Sequence, residues 1–125
     1  MAFWSAALLF LSGLMGASGV ALSAYAAHAD GGANLTTAAT FLLIHAAAVA
    51  GLCAGGVMRR GFLQAATLLA VGAVLFSGDI ALRTLNGSSP WRMAAPTGGV
   101  MLIVGWLWLA FAAFAGRRAA QSGRE

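Results

Sequence analysis

The chain has 125 residues, 61% of them hydrophobic and only 8% charged, with a formal net charge of +4. An ordinary soluble domain is roughly 45–50% apolar and about 25% charged, and one this small must cover a large surface with polar side chains. Those values exclude a soluble monomeric enzyme, a disordered tail and a nucleic-acid-binding domain, and they indicate an integral membrane protein.

Four apolar runs follow in chain order, over residues 3–27, 37–57, 62–85 and 97–115. At 1.5 Å per residue, ~20 residues cross a ~30 Å hydrocarbon core. Inside lipid the backbone polar groups have no water to bond, so each run is expected to be helical. The first run ends in small residues that resemble a signal-peptidase site. No Arg or Lys precedes it, however, and it is longer than a usual signal core, so it is read as a retained first span. Asp30-Gly31-Gly32-Ala33-Asn34 breaks the chain after it, and Thr36 or Thr37 is expected to cap the second span. Arg59-Arg60-Gly61 reads as a tight turn, and Asn86-Gly87-Ser88-Ser89-Pro90 stops the third span. Pro96 suits the first turn of the fourth. Short connections make sequential neighbours antiparallel. The expectation is one all-α domain over residues 1–125, an up-down four-helix transmembrane bundle.

Orientation follows from the basic residues, all of which are Arg. Arg59, Arg60, Arg117, Arg118 and Arg124 fall on one side and only Arg83 and Arg92 on the other. By the positive-inside rule both termini are expected in the cytoplasm. Trp4 and Trp91 fit interfacial anchors. The single Cys53 excludes an intrachain disulfide and reads as a packed, inert thiol.

Helices in lipid associate through close packing and interhelical hydrogen bonds rather than through hydrophobic exclusion. Gly13, Gly16, Gly19 and Ser23 on span 1, Gly51 and Gly55 on span 2, and Gly98 and Gly99 on span 4 are candidate packing positions. They are read first as contacts within the chain. A homo-oligomer or a larger membrane complex is the alternative use of the same stripes.

Asp79 is the most informative polar residue, since an acid inside a span normally faces the bundle or water and has a partner. Arg83 lies four residues later on the same face, in the favourable acid-before-base order. His45 falls within about one helical turn of Asp79 in depth. The bland reading pairs Asp79 with Arg83 and gives His45 a backbone carbonyl or Ser77. The sharp reading gathers His28, His45, Ser77, Asp79 and Arg83 into an outward pocket that binds a small polar or amphiphilic ligand or moves a proton. The inner half has no acid, base or His, so a pocket is favoured over a pore. His28 and His45 differ in depth by roughly 12 Å, which forbids bis-His haem ligation. Two His and an Asp are thin for zinc, which wants three or four convergent ligands. The sequence has no nucleophile motif, phosphate-binding Gly loop or dinucleotide fingerprint. No cofactor and no metal are expected, and no enzymatic activity.

The chain also resembles a known family. Gly19-Val20-Ala21-Leu22-Ser23-Ala24-Tyr25-Ala26-Ala27-His28 resembles its Gly-Ala-Phe-Gly-Ala-His segment, and Thr40-Phe41-Leu42-Leu43-Ile44-His45-Ala46 its second-span histidine segment. Leu75-Phe76-Ser77-Gly78, Ala95-Pro96-Thr97-Gly98-Gly99 and Gly105-Trp106 resemble its Leu-Phe-Ser-Gly, Thr-Pro-x-Gly-Gly and Gly-Trp elements. In this order they are similar to the small membrane family catalogued as domain of unknown function 423. The resemblance implies a four-span protein of the bacterial inner membrane, with relatives in eukaryotic membranes and no established activity. The chain departs from the family pattern at Asp79, where many members carry Ser, and at Ala95, where many carry Thr. The expected function is that of a non-enzymatic structural or accessory subunit in contact with the lipid bilayer; the alternative is a ligand binder using the outer pocket.

Overall fold

The computed structural model describes residues 2–55 and 60–122, with side chains described as far as residue 115. Among these residues are four helices: α1 (Ala2–Ala26), α2 (Gly32–Ala54), α3 (Arg60–Asn86) and α4 (Ala94–Ser122). Each is long and apolar enough to cross a membrane, α4 over Ala94–Ala115.

The connections are set by a few residues. Gly31 sits at φ +76° before α2 and Gly87 at φ +76° after α3. Glycine takes that left-handed conformation without the Cβ penalty other residues pay. At Gly87 the amide bonds back to Arg83 O at 2.9 Å and closes α3 where the Asn-Gly-Ser-Ser-Pro segment predicts. Pro96 lies in the first turn of α4, as expected. Two expectations are corrected. The residue capping α2 is Gly31, because the helix begins at Gly32, one turn before the threonines. Thr37 Oγ1 instead donates to Ala33 O inside the helix, at 3.1 Å. Arg60 and Gly61 are the first residues of α3 rather than part of a turn. Arg59, Arg117, Arg118 and Arg124 lie outside the residues whose side chains are described.

Neighbouring helices run antiparallel. Where the partner of Gly16 is Ala46, the partner of Gly19 is Leu43, so the index rises on one helix as it falls on the other. Gly61 meets Ala112, Gly72 meets Leu102 and Gly105 meets Leu69, giving the same register along α3 and α4. The closest approach is Gly98 on Gly72. A Cβ on Gly98 would stand 2.5 Å from Phe76 N and 2.7 Å from Gly72 O. Two backbones touch there, and only glycine permits it. Gly13 and Gly51, by contrast, face open space, and Ser23 is exposed. Gly72 and Gly105, which the stripe-by-stripe reading passes over, are closer to their neighbours than either.

The bundle is not a closed square. α1 packs on α2, α2 on α3 and α3 on α4, while α1 meets α3 at a few positions and, among the described residues, does not pack against α4. The core lies along α2 and α3, around Leu35, Val49, Ala66, Leu69 and Ala73. Accordingly 44% of the apolar stretch of α3 is buried, against 28% for α1 and 22% for α4.

Candidate functional site

The outer ends of α3 and α4 are joined by a clasp of charged and backbone groups. Asp79 and Arg83 occupy successive turns of α3, and Arg83 Nε donates to Asp79 Oδ2 at 2.9 Å. The same carboxylate oxygen accepts the Ala95 amide at 3.3 Å, meeting one of the unpaired N–H groups at the start of α4. Arg83 Nη2 donates to Arg92 O at 2.9 Å, which ties the connection down from above. Asp79 is buried, whereas the Arg83 side chain is 42% exposed, as expected of a cation reaching toward the interface. Asp79 Oδ1 is buried without a bond. Ser89, on the connection beside it, is turned to Trp91 O at 3.3 Å. A cleft of about 760 Å³ opens here, lined by Asp79, Arg83, Arg92, Met93 and Pro96.

Deeper in the membrane, His45 joins α2 to α4. Its Nδ1 is 2.7 Å from Phe41 O, and Trp106 Nε1 on α4 approaches its Nε2 at 3.2 Å. An indole N–H only donates and a carbonyl only accepts. Nε2 is therefore the acceptor and Nδ1 carries the ring proton. Phe41 stacks on the imidazole with centroids 5.8 Å apart, and itself packs on Phe76 of α3 at 4.5 Å. At the opposite rim, Trp4 Nε1 donates to Thr67 Oγ1 at 3.0 Å and links α1 to α3.

The five residues of the expected outer pocket are distributed over separate places. Asp79 and Arg83 stand together in the clasp. His45 is engaged by Phe41 and Trp106 and lines neither the clasp cleft nor the groove described next. His28 is exposed in the α1–α2 turn, where its amide bonds Tyr25 O. Ser77 lines a different cavity, a lipid-facing groove of about 360 Å³ between α1 and α3 with Leu42 of α2 behind it. Among the described residues no three of His, Cys, Asp and Glu converge on one point. Trp106, the Ala95 amide and the Arg92 carbonyl are partners that residue type and spacing do not reveal. The nearest signal was the Gly105-Trp106 element.

Residues 15–99 match the family described as protein of unknown function, DUF423. The chain belongs to this family. It is similar to the UPF0382 inner membrane protein YgdD of Escherichia coli K12, with 31% identity over 109 residues, covering 79% of this chain and 82% of the relative. The YgdD proteins of Escherichia coli O157:H7 and Shigella flexneri are similar to the same extent. No solved structure matches the chain. Family and spans together make this DUF423 protein a multi-pass protein of the inner membrane. The matched segment contains His28, His45, Asp79, Arg83 and the Gly72–Gly98 contact, and it leaves out most of α4, including Trp106.

Proposed function

We propose that this chain is a non-enzymatic accessory or structural subunit of the inner membrane, with both termini in the cytoplasm. The observation that carries the proposal is the open fourth side. Among the described residues α1 and α4 do not pack against each other, and Phe10, Leu107 and Phe111 point away from the core. A partner helix set between them would complete a closed bundle by the close packing that drives association in lipid. The polar groups support the same reading. His45 bonds at both ring nitrogens and Asp79 Oδ2 holds two partners, so these deep groups join helices to one another. The five-to-two distribution of arginines supports the orientation.

Mild extraction at native expression level, followed by native mass spectrometry, tests the proposal. A fixed-stoichiometry complex with a second protein or with further copies is the expected result. Single cysteines replacing Phe10 and Phe111 in a Cys53→Ala background should then cross-link to that partner. A stable bare monomer, with no cross-link from either position, would overturn it.

A further inference from the structure

The groove between α1 and α3 differs from an ordinary lipid-facing crevice in one respect. Its walls are Leu14, Val74 and other apolar side chains, yet Ser18 and Ser77 also line it. Ser77 is fully buried and its Oγ has no hydrogen bond. Ser18 is exposed on the lipid-facing side and likewise has no bond among the described residues. Several in-helix hydroxyls elsewhere in the protein are satisfied by their own backbone. Thr40, Thr67 and Thr84 each donate to the carbonyl four residues back at 2.8 Å, and Ser12 donates to Leu9 O at 2.8 Å. The hydroxyls of Ser23, Thr36 and Thr97 also lack a bond among the described residues, but each lies within four residues of a helix end, where water is close. The two groove serines lie deeper, and in hydrocarbon no water takes the carbonyl's place.

Depth limits what can satisfy them. α1 and α3 run parallel, and Ser18 and Ser77 each lie four residues beyond the centre of their helix toward the same face. That puts both hydroxyls ~6 Å from the midplane. The glycerol esters of a phospholipid begin at the edge of the hydrocarbon core, ~15 Å from the midplane. A lipid tail reaching the serines would bring no oxygen with it. The unmet groups on both walls are hydroxyl protons, and the matching ligand group is an acceptor oxygen held inside the hydrocarbon layer. From Leu11 to Leu22 the groove extends ~16 Å along α1, and Leu14 and Val74 are half exposed along its mouth, which leaves lateral access from lipid. Its volume of about 360 Å³ is in the range of small-molecule sites.

We infer that this groove binds a lipophilic carbonyl compound of the membrane-quinone class, with Ser18 and Ser77 donating to its ring oxygens. Ser77 Oγ is enclosed in the free protein, so donation to the ligand requires a change of χ1 rotamer toward the groove, where a Cβ on the adjacent Gly78 would meet nothing within 4 Å. The site stands independently of any partner subunit.

The test is a titration of the isotope-labelled full-length chain in phosphatidylcholine nanodiscs with a decyl-substituted benzoquinone, read by amide shifts at Ser18, Ser77 and Gly78. The shifts should saturate. Decylbenzene, which keeps the chain and lacks the oxygens, should need about tenfold more ligand. Ser77→Ala should raise the quinone half-saturation about fivefold and the Ser18→Ala/Ser77→Ala pair further. Gly78→Leu fills the groove and should abolish the shifts. Gly13→Leu, where a Cβ also meets nothing within 4 Å but which does not line the groove, should leave them unchanged. Equal response to decylbenzene, or an unchanged alanine pair, would make the groove a plain acyl-chain crevice and overturn the inference. Shifts that never saturate would do the same. Should Gly78→Leu fail to fold, the alanine pair and the hydrocarbon control still decide.

Discussion

Trp106 Nε1 donates to His45 Nε2 across 3.2 Å, and through this bond α4 reaches α2, a helix it does not otherwise pack against among the described residues. The bond fixes both the tautomer of the imidazole and the rotation of α4 about its contact with α3. Interhelical hydrogen bonds in membranes average ~0.6 kcal/mol and reach ~1.7 kcal/mol. A double-mutant cycle with His45→Phe and Trp106→Phe should give a coupling energy of about 1 kcal/mol, read from reversible unfolding in mixed micelles. Strict additivity of the two substitutions would show that the bond contributes nothing.

The Gly72–Gly98 contact should be the least tolerant contact between the faces of packed helices. A methyl on Gly98 meets backbone atoms of Phe76 and Gly72, which cannot step aside as a flexible side chain would. Overpacking of this kind costs about 1–3 kcal/mol. Gly98→Ala should therefore lower the midpoint of thermal unfolding clearly, while Gly13→Ala, with open space around it, should leave it unchanged or slightly raised. Equal midpoints for the two variants would contradict the packing described.

In the clasp, charge and hydrogen bonding can be separated. Asp79→Asn keeps an oxygen for the Ala95 amide and loses the ion pair, whereas Asp79→Ala loses both. Because Arg83 is 42% exposed, the ion pair alone is screened and worth little. The alanine variant should be the less stable by about 1–2 kcal/mol, since it leaves an N-terminal amide of α4 unbonded as well. Denaturant titration of both variants measures the gap, and a serine at 79 should resemble Asn.

The orientation has its own assay. In intact spheroplasts, a membrane-impermeant thiol reagent should label Ser88→Cys on the α3–α4 connection and should not label Ser122→Cys until the membrane is opened. The reverse pattern would place the termini outside.

Much of this protein was legible in its residues. Apolar runs long enough to cross a bilayer leave the backbone no structure but helix, and Gly87 and Pro96 mark helix ends because their backbone geometry is local. Asp79 and Arg83 were legible as a pair for the same reason: four residues on one helix are neighbours in any fold. What the tertiary structure alone decided lies between helices. It separates Ser77 from His45, gives His45 its indole partner, and brings Gly98 rather than Gly13 against a backbone. It also leaves the side between α1 and α4 open. Each of these depends on how far a helix is rotated about its axis. In lipid that rotation is set by close packing and a handful of hydrogen bonds, since apolar side chains on every face give hydropathy no preferred direction.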